Sequence, residues 1–171
     1  MKRILHVGCG KTPLPDWLEG IETRQDMDPA VSPDIISNMM DMGAKDGHIG
    51  PFDFVYCSHA LEHLYPHQPK DALVEFWHAL APGGICMVIV PDLEGITPTS
   101  DPIYYDGAGD PVSGHDLYYG HFASIKKNPL MAHHCGFTAD KLEKAMLEAG
   151  FSPVKVTRAS GFNLIGVGVR L

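Results

Sequence analysis

Apolar and polar positions along this chain switch between two periods. Ile4-Leu5-His6-Val7 is a short apolar run that passes directly into Gly8-Cys9-Gly10. That is the pattern of a buried strand stopping where backbone must approach something closely. Residues 20–27 and 33–37 read as a second and a short third strand. Phe52-Asp53-Phe54-Val55-Tyr56-Cys57 reads as a fourth, rich in aromatic and β-branched side chains. Over 70–80 the period lengthens: Leu73, Phe76, Trp77 and Leu80 share one helical face. Pro82-Gly83-Gly84 ends that helix, and 85–90 is a continuous apolar strand. Thr138 reads as the cap of a second long helix, with Leu142, Ala145, Met146 and Ala149 on its inner stripe and Gly150 as its stop. Residues 151–158 and 162–171 finish the chain as two strands of a hairpin. Such alternation predicts an α/β domain spanning 1–171, with a mostly parallel sheet covered by helices on both faces.

Between 92 and 136 the periodicity fails, and a long loop is predicted. Its aromatic residues, Tyr104, Tyr105, Tyr118, Tyr119 and Phe122, argue against disorder. The formal net charge of −8, with only 13 Lys and Arg in 171 residues, disfavours a nucleic-acid partner. No apolar run is long enough to span a membrane, and none resembles a signal-peptide core. A cytoplasmic protein with four reduced thiols is expected.

The candidate chemistry begins at Gly8-Cys9-Gly10. The acidic cluster Asp26-Met27-Asp28 follows at about the spacing, roughly 20 residues, at which a carboxylate meets a nucleoside ribose. Either Asp26 or Asp28 suits that role. A dinucleotide fingerprint requires a third glycine, which is absent. Pro13 and Pro15 shorten or replace the helix that would hold a pyrophosphate, so NAD is disfavoured.

Taken in order, these segments resemble the class I S-adenosylmethionine-dependent methyltransferases over nearly the whole chain. Leu5-His6-Val7-Gly8-Cys9-Gly10 is similar to the family's first motif. Residues 52–64 look like its fourth strand and following turn, Leu80-Ala81-Pro82-Gly83-Gly84 like the turn into its fifth, and Ala149-Gly150-Phe151 like its last helix–strand junction. The resemblance implies a Rossmann-like fold with a seven-stranded sheet and an antiparallel C-terminal hairpin. It also implies S-adenosyl-L-methionine as cofactor, bound by Gly8, Cys9, Gly10, Asp26, Met27, Asn38, Met39, Asp41, Ser58 and His59. The activity implied is methyl transfer to a small-molecule acceptor. Residues 92–136 are then expected to form a lid or acceptor-binding insertion, and a homodimer is an alternative cover for the cofactor cleft.

His59 is the candidate catalytic base, because imidazole titrates near neutrality. With His63 it is spaced i, i+4, one face of a helix if a helix forms there; Glu62 and His63 are expected to be structural. The triplet His133-His134-Cys135, with His115 and His121 upstream, matches no usual zinc spacing, and no metal is expected. Trp17 and Trp77 are read as core or cleft-wall residues, and Met39, Met40 and Met42 as gap-fillers or adenine neighbours. The chain departs from the family at His6, where relatives carry an acid, and at Thr12, where they carry glycine. Those departures motivate a second reading, a nucleoside-binding or partner-activated protein without catalysis of its own.

Overall fold

A computed structural model describes residues 1–171. The apolar runs form β1 (Arg3–Val7), β2 (Ile21–Asp26), β3 (Ile35–Ile36), β4 (Phe52–Ser58), β5 (Leu80–Pro91), β8 (Val154–Ala159) and β9 (Asn163–Val169), all in one sheet of order β3-β2-β1-β4-β5-β9-β8. The first five are mutually parallel, while β9 runs antiparallel to both its neighbours. The expected seven-stranded sheet and terminal hairpin are therefore present. A parallel pair needs a crossover, and α1 (Pro69–Ala79) supplies the one between β4 and β5.

One expectation needs correcting: the sheet is not sandwiched by helices. α1 and α4 (Ala139–Glu148) pack against each other on the same face. Leu73 and Phe76 of α1 and Leu142 and Met146 of α4 meet Leu5, Val7, Val55, Cys57, Cys86, Val88 and Leu164 there in one fully buried core. The opposite face carries no long helix. Leu14 and Leu18 cover Ile4, Phe54 and Tyr56, while Ile85, Met87 and Ile89 are only half-buried. The cause is local. Pro13 and Pro15 follow the first glycine turn, and 11–18 runs as turns and extended backbone rather than as a helix. Trp17, expected in the core or cleft wall, lies on this segment 60% exposed, its ring edge-on to Tyr56. Trp77 is half-buried, and its indole N–H donates to the Gly150 carbonyl.

The second correction concerns 92–136, which is structured. β6 (Pro102–Tyr105) and β7 (Pro111–Ser113) form a separate hairpin, followed by the six-residue helices α2 (Gly114–Tyr119) and α3 (Phe122–Lys127). Each element is too short to show a period, but two of them are capped by side chains. Ser113 and Asp116 form a reciprocal capping box on α2, and Asn128 caps the 3-10 turn Pro129–Met131. The segment is tied down at both ends. Arg158 of β8 binds Asp92 at 2.8 Å and also pairs with Glu94, while the His134 and Cys135 amides donate to the Glu62 carbonyl at 2.8 and 3.1 Å.

Candidate functional site

The carboxyl ends of β1, β2, β3 and β4 open onto a cavity of about 580 Å³. Its floor is the glycine turn. Gly8 and Gly10 have φ of +61° and +49°, a region in which a Cβ is strained. A Cβ on Gly8 would lie 2.5 Å from the Ala60 Cβ, whereas one on Gly10 would meet nothing within 4 Å. Gly8 is thus required by packing against the β4 turn. Gly10 leaves room on the cavity side.

Hydrogen bonds brace this turn from below. The Gly8 amide donates to Gln25 Oε1 at 3.3 Å, and buried Gln25 in turn donates to the Ser37 carbonyl. The Gly10 amide donates to Asp26 Oδ2 at 2.8 Å, and the Asp28 amide to Asp26 Oδ1 at 2.9 Å. Each Asp26 oxygen keeps a lone pair for a further donor. Asp28 spends Oδ1 on the Ala30 amide, capping the turn Pro29–Val31. Both aspartates line the cavity.

Of the cofactor candidates, Gly8, Cys9, Gly10, Asp26, Met27, Asn38, Met39, Ser58 and His59 all line this cavity, and Asp41 does not. Asp41 is solvent-exposed, because its amide closes a turn onto the Asn38 carbonyl and the chain then dives into the core at Met42. Met39 and Met40 face the cavity, so the three methionines divide between cleft and core. His6, the departure at the family's acidic position, is buried, bonded to Glu22 at 2.8 Å and edge-on to Tyr56, away from the cavity lining. Burial lowers its pKa, outweighing the Glu22 hydrogen bond and charge.

His59 lies at the end of β4 with φ +51°, an uncommon region for a side chain with Cβ. Its amide donates to the Ile89 carbonyl at 2.8 Å, which holds the residue between strands. The predicted helical face with His63 does not form: the backbone turns left-handed at 59, and only Leu61–His63 makes a single 3-10 turn. Nδ1 of His59 stands 3.3 Å from Oε1 of the buried Glu62. Burial pulls the His59 pKa down, but the Glu62 hydrogen bond and charge more than compensate, and the net shift is upward.

A second cavity, about 500 Å³, lies between the end of the sheet and the 92–136 segment. Asp106, Asp110, Asp116, Tyr104, His121 and Lys127 border it. The one residue lining both cavities is His59. The sequence points to an acceptor-binding insertion over 92–136 but to none of these carboxylates, because Asp106 and Asp110 come from a short hairpin and Asp116 from a six-residue helix, neither with a periodic signal. The outer wall of the first cavity also comes from this segment, through Asn128, Leu130, Met131 and His134.

The triplet His133-His134-Cys135 splits three ways. His134 stacks on Tyr65 at 4.5 Å between ring centroids, Cys135 is buried with its thiol pushed up to about 11 by desolvation, and His133 turns toward His63. All four cysteines are free and buried. No helix is long and apolar enough to cross a membrane.

A sequence profile described as a methyltransferase domain matches residues 1–156. No curated protein matches the chain. Among solved structures, an S-adenosylmethionine-dependent methyltransferase from Mesorhizobium loti superposes with a TM-score of 0.65 at 17% identity, covering 99% of this chain and 91% of that one. One from Archaeoglobus fulgidus gives 0.63 at 14%, covering 98% and 86%. The Burkholderia thailandensis 1,6-didemethyltoxoflavin-N1-methyltransferase, solved with its substrate and S-adenosylhomocysteine, gives 0.61 at 16%, covering 98% and 70%. At these identities the likeness is one of fold.

Proposed function

The chain belongs to the methyltransferase-domain family, and on that premise we propose that it moves a methyl group from S-adenosylmethionine to a small molecule held beneath residues 92–136. The protein is a methyltransferase with S-adenosylmethionine as its cofactor. The residues present suit that group. The space over Gly10 is free of neighbours, Asp26 retains acceptor lone pairs for ribose hydroxyls, and the exposed Asn38 side chain borders the same cavity. When bound, the cofactor supplies a methyl already activated by a positive sulfur, so the protein needs no nucleophile of its own.

What the chain contributes is alignment and proton management. The observation that carries the reading is that His59 alone borders both the cofactor cavity and the acidic cavity behind it. A group on an acceptor in the second cavity meets the first cavity at the His59 ring. Glu62 raises the basicity of that ring, which suits it to take the proton an O–H or N–H acceptor loses on methylation. Three aspartates around the second cavity favour an acceptor with cationic or hydrogen-bond-donating groups. The 92–136 segment acts as its lid.

The test replaces residues 104–127 by a short Gly-Ser linker. Calorimetric binding of S-adenosylmethionine should be retained, within about tenfold or 1.4 kcal/mol, and release of S-adenosylhomocysteine across an acceptor panel should disappear. Loss of cofactor binding to the same degree would refute the division between the two cavities.

A further inference from the structure

Two glutamates lie fully inside this protein, and they are treated differently. Glu75 has both oxygens engaged: Oε2 accepts the amides of Met42 and Ala44 at 3.1 and 3.0 Å, and Oε1 stands 3.5 Å from Lys45 Nζ. Glu62 is 2% exposed, and its Oε1 meets only the half-exposed His59; Oε2 is buried with no hydrogen-bond partner. An unpartnered carboxylate oxygen in the interior is costly unless something cationic or protic sits against it.

What stands beside it is a pair of imidazoles. One donor atom each from Glu62, His63 and His133 falls within 4.8 Å of the others. Both rings are fixed by their Nδ1 atoms: His63 to the Ala132 carbonyl at 3.1 Å, His133 to the Leu117 carbonyl at 2.9 Å. A carbonyl oxygen only accepts, so Nδ1 carries the proton in both rings and Nε2 is left with its lone pair. A second-shell N–H to a backbone carbonyl is the arrangement that sets the tautomer of metal-ligating histidines. The backbone is braced as well, since the His133 amide donates to the Tyr119 carbonyl and the following amides to the Glu62 carbonyl.

We propose that Glu62, His63 and His133 form a binding site for a divalent transition metal. Two imidazoles and one carboxylate select ions of the zinc, iron(II), manganese and cobalt(II) class over magnesium and calcium, which prefer oxygen alone. Bonds of about 2.0–2.2 Å place donors roughly 3–4 Å apart, so the three side chains need close by only about 1 Å around the ion. Glu62 would use its free Oε2 and leave Oε1 on His59. His63 borders the cofactor cavity and His133 the acidic one, which puts the ion in the wall between them. Three protein donors leave coordination positions open. On the methyl-transfer reading given above, an acceptor oxygen would occupy one of them, where the ion would lower its pKa and ease transfer of its proton to His59.

Cobalt(II) titration of the 171-residue chain reads the site without any activity assay. The expected result is one ion per chain with visible d–d absorption bands. Even an outer-shell partner is worth about 10–100-fold in metal affinity, so Glu62→Gln and His133→Asn should each weaken cobalt binding at least that much. Circular dichroism and S-adenosylmethionine calorimetry on both variants separate loss of the site from loss of the fold. Absence of the bands at excess cobalt overturns the proposal, as does wild-type binding in either folded variant. Cobalt binding without S-adenosylmethionine binding in the wild type would leave the metal site standing and count against the cofactor cavity instead.

Discussion

Gly8 and Gly10 look alike in sequence, yet alanine at the two positions should act through different physics. Both have positive φ, and placing a Cβ there costs about 1–2 kcal/mol in each case. At position 8 the new methyl also lands 2.5 Å from the Ala60 Cβ, where β4 turns toward His59. Overpacking of that kind adds about 1–3 kcal/mol, so Gly8→Ala should destabilise the fold by about 2–5 kcal/mol. Gly10→Ala meets no atom within 4 Å and should cost only the backbone term. Its methyl instead occupies space that the cofactor needs, so S-adenosylmethionine should bind at least tenfold more weakly, about 1.4 kcal/mol. Chemical denaturation measures the first quantity and calorimetry the second. At this chain length each kcal/mol moves Tm by about 2–4 °C, so the variants should be readily distinguished. Equal stability losses would show that Ala60 yields without cost. Unaltered cofactor affinity in Gly10→Ala would show that the ligand does not lie over this turn.

Two further predictions concern stability. His6 is held neutral by burial, its pKa below the ordinary 6.5 despite Glu22. The unfolded chain therefore binds the extra proton first as pH falls through 6.5, and unfolding free energy should decline from there downward. In His6→Gln, pH-dependent denaturation should show a flatter profile over that range; an identical slope would remove His6 as the cause. Arg170 donates to the carbonyls of Trp77, His78 and Leu80 and stacks over the Trp77 ring at 4.1 Å, locking β9 to the end of α1. Arg170→Ala should lose about 1.5–3 kcal/mol in urea denaturation, the range for hydrogen bonds to a charged group, and a loss below about 0.5 kcal/mol would show that these carbonyls do not depend on the guanidinium.

The long elements were legible because burial writes a period into them. Leu73, Phe76, Leu142 and Met146 had to recur on one face to fill the core, while β4 and β5 carry apolar side chains on both sides of the sheet plane, toward the helices and toward Leu14 and Leu18. The helix missing from the second face was written only in Pro13 and Pro15. In sequence those prolines bear on one ligand site, whereas in the fold they leave half a sheet face without a helix. Residues 92–136 hid their structure because their hairpin and short helices are held by caps and by ties to β8 and Glu62, none of which leaves a repeating signal. The same limit applies to the site. Gly8, Gly10 and Asp26 stand at strand ends that any parallel sheet brings together. Glu62 and His133 are neighbours because the amides of His134 and Cys135 bind back to the Glu62 carbonyl. Asp41 shows the converse, a candidate in sequence that the turn over residues 38–41 leaves outside the cavity lining.

The strand order has a bearing on how the protein is made. β5 is an interior strand of the sheet, yet the partner on its far side, β9, is the last strand of that sheet to be synthesised, and β8 can join only through β9. Until residues 163–169 emerge, a nascent chain displays the apolar edge Ile85–Pro91 of β5 with its ladder groups on that side unpaired. The parallel half can assemble early, but it stays adhesive to any passing strand until the C-terminal hairpin arrives. Conditions that slow synthesis between β5 and β9, or clip the β8–β9 hairpin, should therefore cost yield before they cost activity, with aggregation templated on Ile85–Val90.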